Sequence, residues 1–492
     1  MSDTARPRNK LPRRLDRGGY GGASPRGTSR LAWLDALRGF AALCVVFDHG
    51  STLLLLPART FLYQWLNLGQ YGVFVFFLVS GYIVPASLER KGSVRGFWIG
   101  RAFRLYPMVL LAIALSAIEY KTGHGTIANA GKHPLVAILG WMFMLQNVTA
   151  GVNVPLVIWT LSYEMVFYLL IAALFSWGGH RRSGWYATAF GAGAVALGGV
   201  LPMAALGTWD GPGQGPLVLD VVTDALVLTG LALATLSRSW PAKAGTTLAA
   251  LVALVLVTFN QNYPYPWSGC VILGLMFTGT MIYRAEQGQA GKRLTAAVAT
   301  GVLILFTVAG VWHGARLYDH HWQVQWATSV LLAGATFGAG LAVRRWRIPR
   351  WCAWLGMISY SVYLLHPLVF NLYRSIPVLH RKHTMPDQVL FFAGLLAVIS
   401  ALSALTYYLV EKPMQRLGRR VAARFPYPAE PGPAKPGPAK PGPAEPGPAK
   451  PYPTETVSAD GTSARSGEAP PAAASRSASS STTVAGGSGA SR

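Results

Sequence analysis

The sequence predicts an all-α integral membrane protein, a polytopic helical bundle of about 10–12 transmembrane helices with disordered cytoplasmic tails. First, 52% of the 492 residues are hydrophobic and only 13% are charged, a composition typical of membrane proteins. Second, mostly apolar runs of roughly 20 residues, the length that spans a bilayer, recur along the chain. Third, the net charge of +24 comes from Lys and Arg residues in tails and short loops, so it indicates membrane topology rather than nucleic-acid binding.

Twelve segments are predicted to span the bilayer. They lie near residues 31–56, 71–88, 105–120, 156–177, 185–206, 216–236, 245–259, 267–284, 294–312, 323–343, 352–372 and 389–410. The third and seventh of these segments are short, so a count of ten stays open. The apolar run 134–146 is shorter still, and we expect it to be an interfacial or re-entrant piece.

The distribution of Lys and Arg predicts the orientation of the bundle. With the N-terminus inside, every second loop carries positive charge, whereas alternate loops such as 208–216 and 260–266 are nearly free of it. The loop 373–388 is the exception. Both termini are therefore predicted to be cytoplasmic in a multi-pass membrane protein, and the number of spans is predicted to be even.

Composition divides the chain into three parts. Residues 1–30 are polar and basic, residues 31–413 hold the spans, and residues 414–492 are first basic and then rich in Pro, Ala, Gly and Ser. A Pro-Gly-Pro-Ala-Lys/Glu repeat from Pro431 to Lys450 lacks the apolar residues that a folded core needs. We predict one transmembrane domain between two disordered tails.

An arginine and a histidine share one face of the first predicted span. Arg38 and His49 are eleven residues apart, about three helical turns, which corresponds to a rise of about 16 Å. Ionisable side chains in an apolar helix are costly and are functional candidates by default. The structural alternative is that Arg38 reaches the headgroups and His49 makes an interhelical hydrogen bond. The neighbouring Asp48 counts against this structural alternative, because two ionisable groups at this depth need a polar cavity.

Two arginines precede the third span at positions i and i+3. Arg101 and Arg104 share one helix face on the predicted cytoplasmic side, and guanidinium groups bind phosphate bidentately. An ordinary positive-inside anchor is the structural alternative. Ser80, among the small residues of the second span, is a weak candidate nucleophile, since no base lies at a local spacing and close helix packing explains small residues there.

Later spans contain further polar residues. The lone carboxylate of Glu164 in the fourth span can orient a histidine, accept a proton or pair with an arginine. For His366, a catalytic role and a packing role are equally open, and Glu411 is assigned to a structural salt bridge. No metal site is predicted, because adjacent histidines such as His320 and His321 rarely share a site geometry.

Six segments, taken in order, resemble the motifs of the membrane acyltransferase-3 family, the bacterial O-acyltransferases that modify sugars and other hydroxyl-bearing acceptors. They are LDALRGFAALCVVFDH, GVFVFFLVSGYIV, FWIGRAFRLYP, WTLSYEMVFYLL, LGMISYSVYLLHP and EKP. Each motif is weak alone, but six in the same order are specific. Together they bracket residues 31–413.

The resemblance implies an O-acyltransferase that takes an acyl group, acetyl or another short chain, from cytoplasmic acyl-CoA and has no tightly bound cofactor. It implies that Arg38 and His49 are essential. The candidate substrate-binding residues of these motifs are Arg101 and Arg104, near the phosphates of CoA, with Tyr106, Trp159, Ser80 and His366. Family members commonly have about ten spans, so a count of twelve departs from the family in the region 185–343. That region carries none of the motifs and is a candidate for acceptor specificity.

The predicted catalytic residues are His49, Arg38, Glu164 and Asp48. His49 is expected to act as general base on the acceptor hydroxyl, with Glu164 or Asp48 orienting its imidazole. A covalent acyl-histidine relay stays open as a variant. The expected partners are acyl-CoA, the lipid bilayer and a hydroxyl-bearing acceptor, which is a sugar, a polysaccharide or a glycosylated metabolite.

A secondary transporter is the alternative function. Twelve spans with both ends inside is a layout of such carriers, in which buried His, Glu and Arg form proton relays. Two observations count against it. The two halves of the chain share no motif, and the candidate polar residues concentrate in the first four spans and the eleventh.

Overall fold

The computed structural model describes residues 26–123, 134–149, 151–207, 215–261, 265–376 and 384–424. Within these ranges the chain is helical and contains no β-strand, which confirms the predicted all-α class. The helices are α1 (Arg26–Ser51), α2 (Leu56–Tyr63), α3 (Leu68–Lys91), α4 (Val94–Lys121), α5 (Pro134–Met142), α6 (Trp159–Ser176), α7 (Ser183–Leu197), α8 (Gly215–Leu236), α9 (Ser239–Phe259), α10 (Pro266–Glu286), α11 (Lys292–Gly314), α12 (His320–Val343), α13 (Arg350–Arg374), α14 (Met385–Thr406) and α15 (Lys412–Arg424).

The described helices make this a multi-pass membrane protein. Ten of them are long and apolar enough to cross a bilayer, α14 together with its continuation into α15 counting as one, and α1 with α2 adds an eleventh crossing if the pair is one broken span. The chain bends by 116° between α1 and α2. The predicted first span therefore ends at Ser51, and the chain turns sharply before residue 56.

One of the twelve predicted spans forms a helix that is shorter than a bilayer is thick. The segment 185–206 forms only the 15-residue helix α7, about 22 Å long, whereas the hydrocarbon core of a bilayer is about 30 Å thick. Gly198, Gly199 and Pro202 follow directly, and these residue types disfavour helix. The run 134–146 forms the nine-residue α5, too short to span, as its length predicted.

The centre of the bundle is formed by helices that bury most of their surface. α1 packs between α3 and α13, and α3 packs in turn on α10. Helices α3, α6, α10 and α13 are mostly buried, whereas only 22–28% of the apolar stretch of α4, α8, α11, α12 and α14 is buried, the rest being half-buried or exposed. These less buried helices offer apolar surface of the kind that contacts lipid.

Small residues let the central helices approach closely. A Cβ atom on Gly81 of α3 would lie 1.9 Å from the carbonyl oxygen of Met276 in α10, and one on Gly279 would lie 2.2 Å from that of Leu78. The hydroxyl of Thr280 donates to the carbonyl of Gly81 at 2.9 Å. Backbone contact of this kind drives helix association in membranes, which supports the packing interpretation of the small residues in the second span.

The helical part extends beyond the predicted boundary at residue 413. α14 continues through a π-helical turn into α15, which ends at Arg424. α15 packs against α4, where a Cβ on Gly418 would lie 2.5 Å from the side chain of Phe103. This tertiary contact, which composition does not reveal, stabilises the helix. α1 likewise begins before the predicted boundary at residue 30, and the rest of both predicted tails lies outside the described residues.

Candidate active site

Two histidines from different helices meet near the end of α1. The rings of His49 and His366 stack with their centroids 5.1 Å apart, and Nδ1 of His49 lies 2.9 Å from Nε2 of His366. His366 is fully buried, whereas His49 is partly exposed. The sequence left the role of His366 open, and the structure makes it the hydrogen-bond partner of His49.

The hydrogen bonds of this histidine pair determine which nitrogens carry protons. Nδ1 of His366 lies 3.0 Å from the carbonyl oxygen of Val362, and because a carbonyl only accepts, this nitrogen donates. In the neutral ring, Nε2 of His366 then has no proton and accepts from Nδ1–H of His49. Nε2 of His49 is left with a free lone pair, as a general base requires.

A first cavity, the arginine cavity, collects the three predicted arginines. Its volume is about 70 Å³, and its polar lining consists of Arg38, Arg101, Arg104, Ser80, Thr160, Glu164, Ser359, Tyr360 and Tyr363. Within the described part of the chain, none of the three guanidinium groups forms an ion pair. With three guanidinium groups and one carboxylate, Glu164, the cavity carries an excess of positive charge that suits an anionic ligand, phosphate above all.

Glu164 is held within the arginine cavity by hydrogen bonds. The hydroxyls of Tyr168 and Ser80 both donate to its Oε1, at 2.5 and 3.3 Å. Arg101 donates from Nη1 to the Tyr168 hydroxyl at 3.2 Å, and its guanidinium lies over the Tyr168 ring. Glu164 therefore pairs through Tyr168 with an arginine and does not orient His49, which corrects one of the roles expected for it.

A second cavity, the aromatic cavity, lies beside His49. Its volume is about 280 Å³, and its aromatic lining consists of Tyr63, Phe74, Trp159, Tyr265, Trp267, Tyr318, Trp322, Trp326 and Tyr363. The rings of Trp267 and Trp326 have centroids 4.7 Å apart, and Trp322 stacks on Trp326 at 5.5 Å. Such side chains offer broad apolar faces and polar edges to a ligand.

A third cavity, the polar cavity, also reaches His49. Its volume is about 350 Å³, and its polar lining consists of His49, Thr52, Ser116, Glu119, Asn153, Asn371 and Arg374. His49 is thus shared by two cavities of different chemical character.

Tyr363 lies at the boundary between the arginine cavity and the aromatic cavity. Its side chain lines both cavities. Its hydroxyl donates to the carbonyl oxygen of Val157 at 3.1 Å and lies 2.9 Å from Oγ1 of Thr160. The arginine cavity and the aromatic cavity, which His49 lines, therefore share a hydrogen-bonded tyrosine in their walls.

Asp48 does not orient the imidazole of His49, contrary to the sequence prediction. Its Oδ1 accepts from the Tyr63 hydroxyl at 2.8 Å and forms an ion pair with Arg59 at 3.3 Å. The side chain is drawn to α2 because the chain bends back at that point. The hydrogen bond to the imidazole of His49 that we expected from Asp48 or Glu164 is made by His366 instead.

Two other expectations are also changed by the structure. The hydroxyl of Tyr106 donates to the carbonyl of Met142 at 2.5 Å, and its side chain lines a separate, apolar cavity rather than the arginine cavity.

Glu411, expected in a salt bridge, is buried and accepts from Ser361 and Gln415 at 3.1 and 3.0 Å, with no ion pair among the described residues. Both residues sit in motifs, but their side chains contact neighbouring helical segments.

Sequence reasoning missed most of the aromatic cavity. Trp267 of α10 and Trp322 and Trp326 of α12 come from the region 185–343, which carries none of the motifs. Tryptophans are common in membrane helices, so the local sequence did not identify these three as candidate binding residues. The one sequence-based indication was that the region 185–343 carries none of the motifs and is therefore a candidate for acceptor specificity.

Comparison with known proteins gives the family. The sequence profile of the third acyltransferase family, described as "Acyltransferase domain", matches residues 31–408. The protein "Acyltransferase MdmB" of Streptomyces mycarofaciens is 32% identical over 149 residues, 28% of this chain and 38% of MdmB. YrhL of Bacillus subtilis is 25% identical over 428 residues, 80% of this chain and 56% of YrhL.

A further relative has a named substrate. "Peptidoglycan O-acetyltransferase OatA" of Listeria monocytogenes is 29% identical over 152 residues, 28% of this chain and 23% of OatA. The chain thus spans at most 56% of the length of these relatives. No solved structure matches the chain significantly. Because the profile covers most of the chain and both histidine-pair segments, this protein belongs to the acyltransferase-3 family of membrane acyltransferases.

Proposed function

We propose that the protein is an O-acyltransferase that moves an acyl group from acyl-CoA to a hydroxyl of a carbohydrate or glycosylated acceptor. Family membership supports acyl transfer, and the named substrate of OatA supports a carbohydrate acceptor. The observation that carries the proposal is the hydrogen-bonded series from Val362 through His366 to His49, which presents a basic nitrogen beside two cavities.

The arginine cavity is the proposed donor site. Its volume of about 70 Å³ holds roughly five water molecules, so it admits a slender chain but not a nucleotide. The pantetheine arm fits such a passage, with the phosphates of CoA held by Arg101 and Arg104. Arg38 then lies along the path of the arm toward the histidine pair.

The charge pattern supports a donor that enters from the cytoplasm. α3 ends with Arg90 and Lys91, and Arg95 lies in the first turn of α4, two turns before Arg101. Positive charge at helix ends favours the cytoplasmic face. We therefore place this end of the bundle, and both termini, on the cytoplasmic side of a bacterial plasma membrane.

The aromatic cavity is the proposed acceptor site. The C–H faces of a sugar ring are apolar and stack on indole and phenol rings, while the ring hydroxyls need polar partners. Asn67, Gln70 and Ser268 supply polar groups in the same lining. A sugar held there brings a hydroxyl to His49.

The reaction follows from the proton positions of the histidine pair. Nε2 of His49 takes the proton of the acceptor hydroxyl, and the oxygen attacks the thioester carbonyl carbon. The new C–O bond forms, the C–S bond breaks, and the CoA thiolate receives the proton back from His49. Throughout, His366 holds His49 through its Nδ1–H and stabilises the imidazolium, the task that a carboxylate performs in many triads.

The test uses the full-length protein in lipid nanodiscs with radiolabelled acetyl-CoA and a panel of acceptors. The panel contains saccharides of one to three rings and glycosylated metabolites, and ester formation is measured. We expect wild-type transfer to at least one acceptor and a fall of about 10²–10⁴-fold in kcat for His49→Ala, the range for loss of a general base. Arg38→Ala is expected to impair transfer as well.

A matched control and a distinct outcome make the experiment decisive. Phe40 is on α1 and 47% exposed, so Phe40→Leu tests for nonspecific damage and should transfer at the wild-type rate. Equal transfer by wild type and His49→Ala would refute the proposed site. Movement of a substrate across vesicles without consumption of acetyl-CoA would favour a carrier instead.

A further inference from the structure

We propose that the polar cavity is a second sugar subsite, so that the acceptor is a glycan or glycoside with at least two rings that lies across His49. The inference rests on the proposed function. It assigns a ligand to a cavity that the donor and acceptor sites described above do not use.

The position of His49 between two cavities is the first argument. His49 and Val157 line both the aromatic cavity and the polar cavity. His49 has one free nitrogen, because Nδ1 is engaged with His366. A hydroxyl that reacts there belongs to a molecule with space on both sides of it. A single ring in the aromatic cavity leaves the other side unfilled.

The size of the cavities is the second argument. Their volumes, about 280 Å³ and 350 Å³, lie at the lower end of the roughly 300 to 1,000 Å³ that is usual for ligand sites. Each cavity therefore suits one ring-sized group rather than a whole oligosaccharide.

The chemistry of the polar cavity is the third argument. Asn371 and Glu119 face it from α13 and α4, and the amide of Asn371 donates to Glu119 Oε2 over a long 3.5 Å. Such a weak contact leaves the remaining lone pairs of the carboxylate and the other amide groups available. Thr52 and Ser116 add hydroxyls, and Phe370 adds an apolar face.

This combination is the one that a sugar ring requires. Sugar hydroxyls both donate and accept, so they suit a carboxylate and an amide together, and a sugar also needs an apolar surface for its C–H face. The aromatic cavity offers chiefly stacking surfaces and the polar cavity chiefly hydrogen bonds. Two adjacent rings of one acceptor would thus be held by different forces on the two sides of His49.

The experiment compares one-ring and two-ring saccharides from the same panel. Binding is measured from the fluorescence of the tryptophans that line the aromatic cavity, and transfer is measured with labelled acetyl-CoA. We expect the best two-ring saccharide to bind about tenfold more tightly than its one-ring fragment and to have a correspondingly higher kcat/KM. Tenfold corresponds to one or two added hydrogen bonds.

Substitutions then locate the added affinity. Asn371→Ala is expected to bring the two-ring Kd up to the one-ring value, and Glu119→Gln, which keeps the shape of the side chain, is expected to reduce the advantage partly. The control is Leu372→Ala, because Leu372 is the next residue on α13 and is 50% exposed. Thermal unfolding of each variant identifies loss of folding, and Glu119→Gln keeps the test intact if Asn371→Ala does not fold.

The outcomes separate this inference from the proposed function. Equal binding or equal transfer of one-ring and two-ring saccharides overturns the second subsite and leaves acyl transfer standing. A two-ring advantage that survives both Asn371→Ala and Glu119→Gln also overturns it. A two-ring advantage in binding, lost in Asn371→Ala and unaccompanied by any ester formation, supports the subsite and refutes the acyl-transfer proposal.

Discussion

The arginine cavity and the aromatic cavity both contact Tyr363, but they are built from different residues. The arginine cavity takes charged residues from α1, α4 and α6, all within recognisable motifs. The aromatic cavity takes most of its rings from α10, α12 and the segments beside them, where no motif occurs. Under the proposed function this difference is a division of tasks: charge holds a donor that always carries the same phosphates, and aromatic surface holds the acceptor.

The division predicts which kinetic constant each substitution changes. A residue of the arginine cavity should affect the KM for acyl-CoA, and a residue of the aromatic cavity should affect the KM for the acceptor. In the proposed mechanism the two substrates meet at the histidine pair. Substitutions there should affect kcat.

The largest effect in this comparison is expected for His366→Phe. Without His366, nothing in the described structure accepts a hydrogen bond from Nδ1–H of His49. The imidazole is then no longer held in one orientation, and the tautomer with a free Nε2 is no longer favoured. We expect kcat for labelled acetyl transfer to fall about 100-fold, at the low end of the range for acid–base catalysis, with both KM values nearly unchanged.

Two further variants distinguish positioning from packing. His366→Gln keeps an oxygen that can accept from His49, so it should recover part of the activity that His366→Phe loses. Met357→Ala, on an exposed part of α13, should behave as wild type. Wild-type kcat in His366→Phe would show that the histidine pair is only a packing contact.

The next effect is expected on the donor side. Arg104→Gln removes one unpaired guanidinium from the arginine cavity, and a charge-assisted hydrogen bond contributes about 1.5–3 kcal/mol. We expect the KM for acetyl-CoA to rise roughly 10–100-fold while the KM for the acceptor stays constant, as measured by varying each substrate separately. Arg90→Gln, an exposed basic residue at the end of α3, is the matched control, and an equal rise in that variant would assign the effect to general surface charge.

The fold could be predicted from the sequence wherever length and apolar content suffice. α3 and α10 satisfy both criteria and were predicted within a few residues of their observed bounds. The predicted segment 185–206 is longer than the helix it forms, because α7 ends at Leu197, directly before Gly198 and Gly199. The end of α15 depends on its contact with α4, a tertiary property that composition does not contain.

Part of the site could be predicted, namely those residues whose ionisable side chains are energetically costly to place in an apolar helix. Arg38, Arg101, Arg104 and Glu164 stand out because charge in an apolar helix is expensive, and they do share one cavity. Asp48 stands out for the same reason. Its ion-pair partner, Arg59, could not be predicted, because the pair depends on the 116° bend between α1 and α2.

The smallest of the predicted effects tests the half of the site that the sequence did not reveal. Trp322→Leu removes one stacking surface from the aromatic cavity while keeping an apolar side chain, and the ring contributes on the order of 1 kcal/mol beyond its area. We expect the KM for the acceptor to rise about fivefold, with the KM for acetyl-CoA unchanged. Trp312→Leu is the control, because Trp312 of α11 is 61% exposed and lines none of the three cavities. A rise in the KM for acetyl-CoA in Trp322→Leu would contradict the division of tasks, since it would place the donor on the aromatic side of Tyr363.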